Sequence, residues 1–203
     1  MPVTRESIVN RSGALLREMP PIHDINENTP LARLARQHLS PIIATLMSDG
    51  EPWTFASGRV KLNLLPTAEV PGWAYVYNTP NSSATITRAF SAARPGSSVR
   101  YETLFDHQHN CVVICSDVPD LCADIVTSEE EHFLQYAPAT LVEYVVLSLA
   151  WYMADPIVGG PAAKAIKDAT RYDAQTALSE ARELDELKRN LAPEEDSLVS
   201  ARR

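Results

Sequence analysis

Hydrophobic positions recur along this chain with different spacings, and each spacing marks a different kind of element. Residues 139–154, ATLVEYVVLSLAWYMA, are apolar on every side except at Thr140, Glu143 and Ser148. A surface helix would keep a polar face toward water. At about 1.5 Å per residue the stretch makes a rod of roughly 24 Å, short of the ~20 apolar residues that a bilayer span needs. Pro138 opens it, and Asp155-Pro156 with Gly159-Gly160-Pro161 closes it. The pattern predicts a central helix covered all round, by other helices of the chain or by a neighbouring subunit.

Before that stretch the spacing is first helical and then alternating. Thr4 is placed to cap a helix running to about residue 17, with Ile8, Ala14 and Leu15 or Leu16 toward the core and Gly13 weakening it. Met19-Pro20-Pro21 ends it. Thr29 as N-cap and Pro30 at the first helical position start a second helix, in which Leu31, Leu34, Ala35, Leu39, Ile42, Ile43 and Leu46 keep helical spacing. Pro41 inside that pattern predicts a kink, and residues 49–52 (DGEP) a stop. Val60, Leu62 and Leu64 then alternate with Arg59, Lys61 and Asn63, which is strand spacing, and Trp73, Tyr75 and Tyr77 put three aromatics on one face of the next strand. Residues 84–90 are ambiguous and 94–97 read as a loop. Residues 99–104 and 111–115 read as a hairpin around 106–110, and 121–127 as a further strand after a turn.

After the strands, residues 129–136 read as a short helical turn before the central helix. A last helix runs from about 162 to 190, with Ala165 or Ile166, Ala169, Tyr172, Ala177, Leu184 and Leu187 as its apolar stripe. Its outer face carries Lys164, Asp168, Arg171, Glu180, Glu183 and Asp185. Pro193 ends it, and the tail EEDSLVSARR is too polar to bury. The fold class expected is α+β: an α-helical bundle of two N-terminal and two C-terminal helices with an inserted antiparallel β-sheet region. The domain limits are 1–56 with 128–192 for the bundle, 57–127 for the β insertion, and 193–203 for a C-terminal arm.

Composition narrows the partners. The chain has 203 residues, 45% of them hydrophobic, and a net charge of -8. That is enough apolar content for a sizeable core, and the acidic balance argues against a general nucleic-acid binder, which needs clustered Lys and Arg. The N-terminus MPVTRESIVNRSG lacks the apolar run of a secretory signal, so a soluble protein made in a cytoplasm is expected. Cys111, Cys115 and Cys122 are odd in number, which favours free thiols over a disulfide framework.

Candidate chemistry is sparse. His107, His109, Cys111 and Cys115 fall on alternate positions and are residue types that zinc prefers, but no C-x-x-C pair accompanies them, and turn histidines beside small core cysteines are the favoured reading. His132 beside Glu129, Glu130 and Glu131 fits a charged helix start better than acid/base chemistry. Neither a G-x-S-x-G elbow nor a phosphate-binding glycine loop occurs. The row Trp73, Tyr75 and Tyr77 offers either a stacking platform for sugars or the inner face of a sheet, of which the second is favoured. No enzymatic activity, catalytic residue, cofactor or metal is expected.

Four segments carry a resemblance that none carries alone. INENTPLARLARQHLSPIIATLMSDGEPWTFAS, PGWAYVYNTP, DVPDLCADIVTSEEEHFLQYAPATLVEYVVLSLAWYMADPIVGG and LVSARR follow one another along residues 7–203. In order and spacing they resemble the tail tubular protein A family, the head-to-tail adaptors of short-tailed, podovirus-type bacteriophages. The resemblance implies a structural virion protein, made in the host bacterial cytoplasm, that can be a monomer before assembly. Assembled, it would form a dodecameric ring between the portal protein and a tail nozzle of the tail tubular protein B type. Genomic DNA would pass through without specific binding, and no membrane would be involved. Residues 193–203 would be the portal-docking arm, with Leu198, Val199, Arg202 and Arg203 as docking positions. Lys164, Asp168, Arg171, Glu180 and Glu183 would mark a helix facing the channel. An acidic surplus suits such a conduit, because a basic lumen would hold the polyanion.

Two other classes stay open on the sequence. A phage tail-associated glycan hydrolase would need two carboxylates ~5–9.5 Å apart, and Glu69, Glu102, Asp106 and Asp117 supply candidates without selecting a pair. A carbohydrate-binding module would use Trp73, Tyr75 and Tyr77.

Overall fold

The computed structural model of the chain describes residues 3–16, 20–48, 51–66, 68–79, 84–107, 110–127 and 129–191. They form two compact units, one built from Met1–Phe55 with Glu130–Asn190 and the other from Ala56–Glu129.

The first unit is helical. Helix α1 (Arg5–Leu15) begins at Thr4, whose Oγ1 accepts from the Ser7 amide at 3.2 Å while the Ser7 side chain reaches back to the Thr4 backbone, a reciprocal capping box. Helix α2 (Pro30–Ser48) is N-capped by Thr29, which accepts from the Ala32 amide at 3.1 Å, and Pro41 sits inside it without interrupting it. Helix α4 (Ala139–Ile157) buries Leu141, Val142, Val145, Val146, Leu147, Leu149, Ala150, Met153 and Ala154. Both α1 and α2 pack on it. The approach of α1 is close because Ser12 and Gly13, not the expected Ala14, face inward. The Ser12 hydroxyl, fully buried, hydrogen-bonds the carbonyls of Ile8 and Val146, both at 2.9 Å. The chain between α1 and α2 is fastened by Asn10, whose amide gives one hydrogen bond to the Ile22 carbonyl at 2.9 Å and takes one from the Ile22 N–H at 2.8 Å.

The expectation of two C-terminal helices after a single inserted sheet is corrected on both counts. Glu130–Tyr136 is a helix in its own right, α3, anchored by buried Phe133 and Leu134 and by an ion pair between Glu130 and Arg5. Pro138 separates it from α4, since the residue before a proline is biased away from helical backbone. Three helices therefore follow the strands: α3, α4 and α5 (Gly160–Leu191). Gly159 and Gly160, at φ 68° and 58°, make the left-handed reversal between the last two.

The second unit contains two antiparallel sheets rather than one. Strands β1 (Ser57–Lys61), β7 (Leu121–Thr127), β3 (Ala84–Ser91) and β4 (Arg94–Ser98) lie in that order in the first sheet. The second sheet has the order β2 (Tyr75–Asn78), β6 (Cys111–Ser116), β5 (Tyr101–Asp106). The chain passes between them at two corners. Past β1 the Leu62 amide still pairs with Leu121 at 2.9 Å, but Asn63 and Leu65 bond to Asn78 and Val76 of the second sheet at 2.9 and 2.8 Å. At the other corner Val99 bonds to Ala89 of the first sheet at 3.0 Å, and the Arg100 carbonyl accepts from Ser116 of the second at 3.0 Å. Such sheet-switching strands join two packed sheets at their corners. Leu62, Tyr77, Ala89, Ile114, Leu121 and Ala123 fill the space between the sheets. A second cluster, Ala68, Val76, Val113 and Cys115, lies on the other face of the three-stranded sheet, with Leu65, Val70 and Trp73 packed against it.

Candidate functional site

The expected aromatic row does not exist as a face. Tyr75 and Tyr77 point between the sheets, with the Tyr77 hydroxyl donating to the Val118 carbonyl at 2.6 Å, and burial pushes that phenol above its ordinary pKa. Trp73 precedes the strand and packs against the opposite cluster, with the Arg100 guanidinium 4.7 Å above its ring. Only Trp73 lines the open groove of about 600 Å³ formed by residues 68–74 and Val76. A sugar platform would need rings presented together on one exposed face.

Cys115 is buried, Cys111 and Cys122 are half-buried, and all three are free thiols. Burial pushes the Cys115 thiol up, and the nearby Glu102 and Asp106 carboxylates add to the shift. Glu102 stands directly opposite Cys115 across the β5–β6 pair, and Asp106 opposite Cys111. His107 is exposed and lies edge-on to Phe105 at 5.1 Å, while His109 falls outside the described residues. Among the described residues no three His, Cys, Asp or Glu side chains come together as a metal site. Because a raised pKa leaves less thiolate at a given pH, Cys115 should react with a thiol reagent well after Cys111 and Cys122 in the native protein. All three should react together in denaturant. Site-resolved mass spectrometry of the labelled protein checks this, and early labelling of Cys115 would contradict its place in the core.

Of the carboxylates open to a hydrolase reading, Asp117 sits in a turn, where it accepts from the Ala74 amide at 3.2 Å, and Glu69 lies on the 68–74 loop. Glu102 and Asp106 share one face of β5. Nothing in this arrangement sets two of the four across a cleft.

The best-built polar cluster is one the sequence reading missed. Asp185 of α5, expected on the outer face, is 5% exposed. Its Oδ1 accepts from the Thr54 amide at 3.0 Å and from the Thr54 hydroxyl at 2.6 Å, and its Oδ2 pairs with Arg189 at 3.1 Å. Arg189 also donates to the Pro52 carbonyl at 2.8 Å and pairs with Glu51. Arg182 completes the grip, donating to the Glu51 carbonyl at 3.0 Å while lying 3.8 Å over the Trp53 ring. The end of α5 therefore clasps segment 51–54. With its oxygens engaged in this way, Asp185 is equipped to hold the chain rather than to transfer a proton.

The apolar stripe of α5 is also corrected, except at Ala177. The buried positions are Ala163, Thr170, Ala174, Ala177, Ala181 and Asp185, whereas Tyr172, Leu184 and Leu187 are exposed. Small side chains lie inward because Asp185, Arg182 and Arg189 fix the helix against segment 51–54, and that sets its rotation. Lys164, Asp168, Arg171, Glu180 and Glu183 are all exposed, as the sequence reading had them. They do not share one face: at about 100° per residue, the first three follow one side of the helix and the last two another. Leu198, Val199, Arg202 and Arg203 of the expected arm lie outside the described residues.

No protein-family model matches the chain, and no curated protein does. Among the described residues no helix is long and apolar enough to cross a membrane.

Proposed function

We propose that this chain is a structural protein of a virion, a head-to-tail adaptor of the tail tubular protein A type. In this reading it assembles as a dodecameric ring between the portal protein and a tail nozzle and leaves a passage for genomic DNA. The observation that carries the reading is the ordered series of four segments, from INENTPLARLARQ to LVSARR, spread over nearly the whole chain. Two features support it. The described polar clusters hold the fold together rather than face a substrate, and the net charge of -8 lets a polyanion slide past without sticking. Residues 193–203 serve in this reading as the arm that docks on the portal.

The test is the mass of the purified full chain in solution, alone and mixed with the candidate portal protein, by light scattering with negative-stain imaging. A ring of twelve subunits, formed alone or on the portal, is the expected result. A stable monomer indifferent to the portal would overturn the reading.

A further inference from the structure

We draw no further inference here: the strongest candidate, the outer edge of strand β5 with exposed Phe105 opposite exposed Val112 at the end of the β5–β6 pair, is an unpartnered apolar face, and nothing in the structure shows what covers it.

Discussion

Replacing Trp53 with alanine is expected to destabilise the helical unit by about 3–5 kcal/mol, the range for deleting a large aromatic from a packed core. The indole is 1% exposed, donates from Nε1 to the Leu46 carbonyl at 2.9 Å, and lies under the Arg182 guanidinium. It also leans on Phe55 at 5.8 Å between ring centres, and Phe55 in turn on Phe133 of α3 at 5.1 Å. Truncation would leave a cavity, an unpaired carbonyl at the end of α2, and a guanidinium without its ring. Phenylalanine at the same position keeps most of the apolar contact and loses the donor, so it should cost less, about 1–3 kcal/mol. Urea titrations followed by far-ultraviolet circular dichroism measure both. An alanine variant no less stable than the phenylalanine one would mean that the ring does not organise segment 51–55.

The helical half of the fold was readable where local chemistry decides the outcome. Thr4 and Thr29 start helices because each offers an oxygen to an amide that the helix itself cannot satisfy, and that requirement is visible in the sequence. The apolar run of α4 announces burial because no polar side exists to face water. The β half was less readable, since pairing there depends on partners distant in sequence. Residues 84–90 read as ambiguous but lie within the long strand β3, whose alternation is broken by a bulge between Ile86 and Arg88. Phe90 is 2% exposed although its neighbour Ala89 is the residue that faces the core between the sheets, and the Arg59 and Arg88 guanidiniums lie over its ring at 4.8 and 5.7 Å. A pattern of apolar and polar letters treats those arginines as solvent-facing and misses their role as cover. Residues 94–97 read as a loop because of Pro95-Gly96, yet they belong to β4, an edge strand, where a proline costs no ladder bond.

The candidate sites show the same division. That Trp73, Tyr75 and Tyr77 alternate is a fact of the sequence, but a shared face requires that all three be in the strand, and β2 begins only at Tyr75. On α5 the spacing of apolar residues places Tyr172, Leu184 and Leu187 inward beside Ala177, and of these only Ala177 is buried. The rotation of the helix is set instead by Asp185, and the signal was present: Asp185 and Arg189 are four apart, and Ala177 and Ala181 precede Asp185 at the same spacing. An acidic residue continuing a small-residue row is a sign that a polar partner awaits it on that face.

Substituting Asp185 with alanine is the second change with a large expected effect, about 3 kcal/mol, from hydrogen bonds to a charged group worth about 1.5–3 kcal/mol each. The loss arises mainly at Thr54, whose amide and hydroxyl both give their hydrogen bonds to Oδ1. The ion pair with Arg189 adds little, because that side chain is 37% exposed and keeps Glu51 and the Pro52 carbonyl as partners. Asparagine preserves the acceptor for Thr54 and gives up only the charge and the Arg189 pair, so it should retain more than half of the lost stability. The ordering alanine below asparagine below wild type, read from the denaturant midpoints, separates a clasp built on Thr54 from one built on the arginine. If asparagine is as damaging as alanine, the charge pair carries the clasp. If neither shifts the midpoint, segment 51–54 is held by Trp53 and by the bonds of Arg182 and Arg189 to Glu51 and Pro52, and the rotation of α5, with the outward placement of Tyr172 and Leu187, must be set by the alanine row.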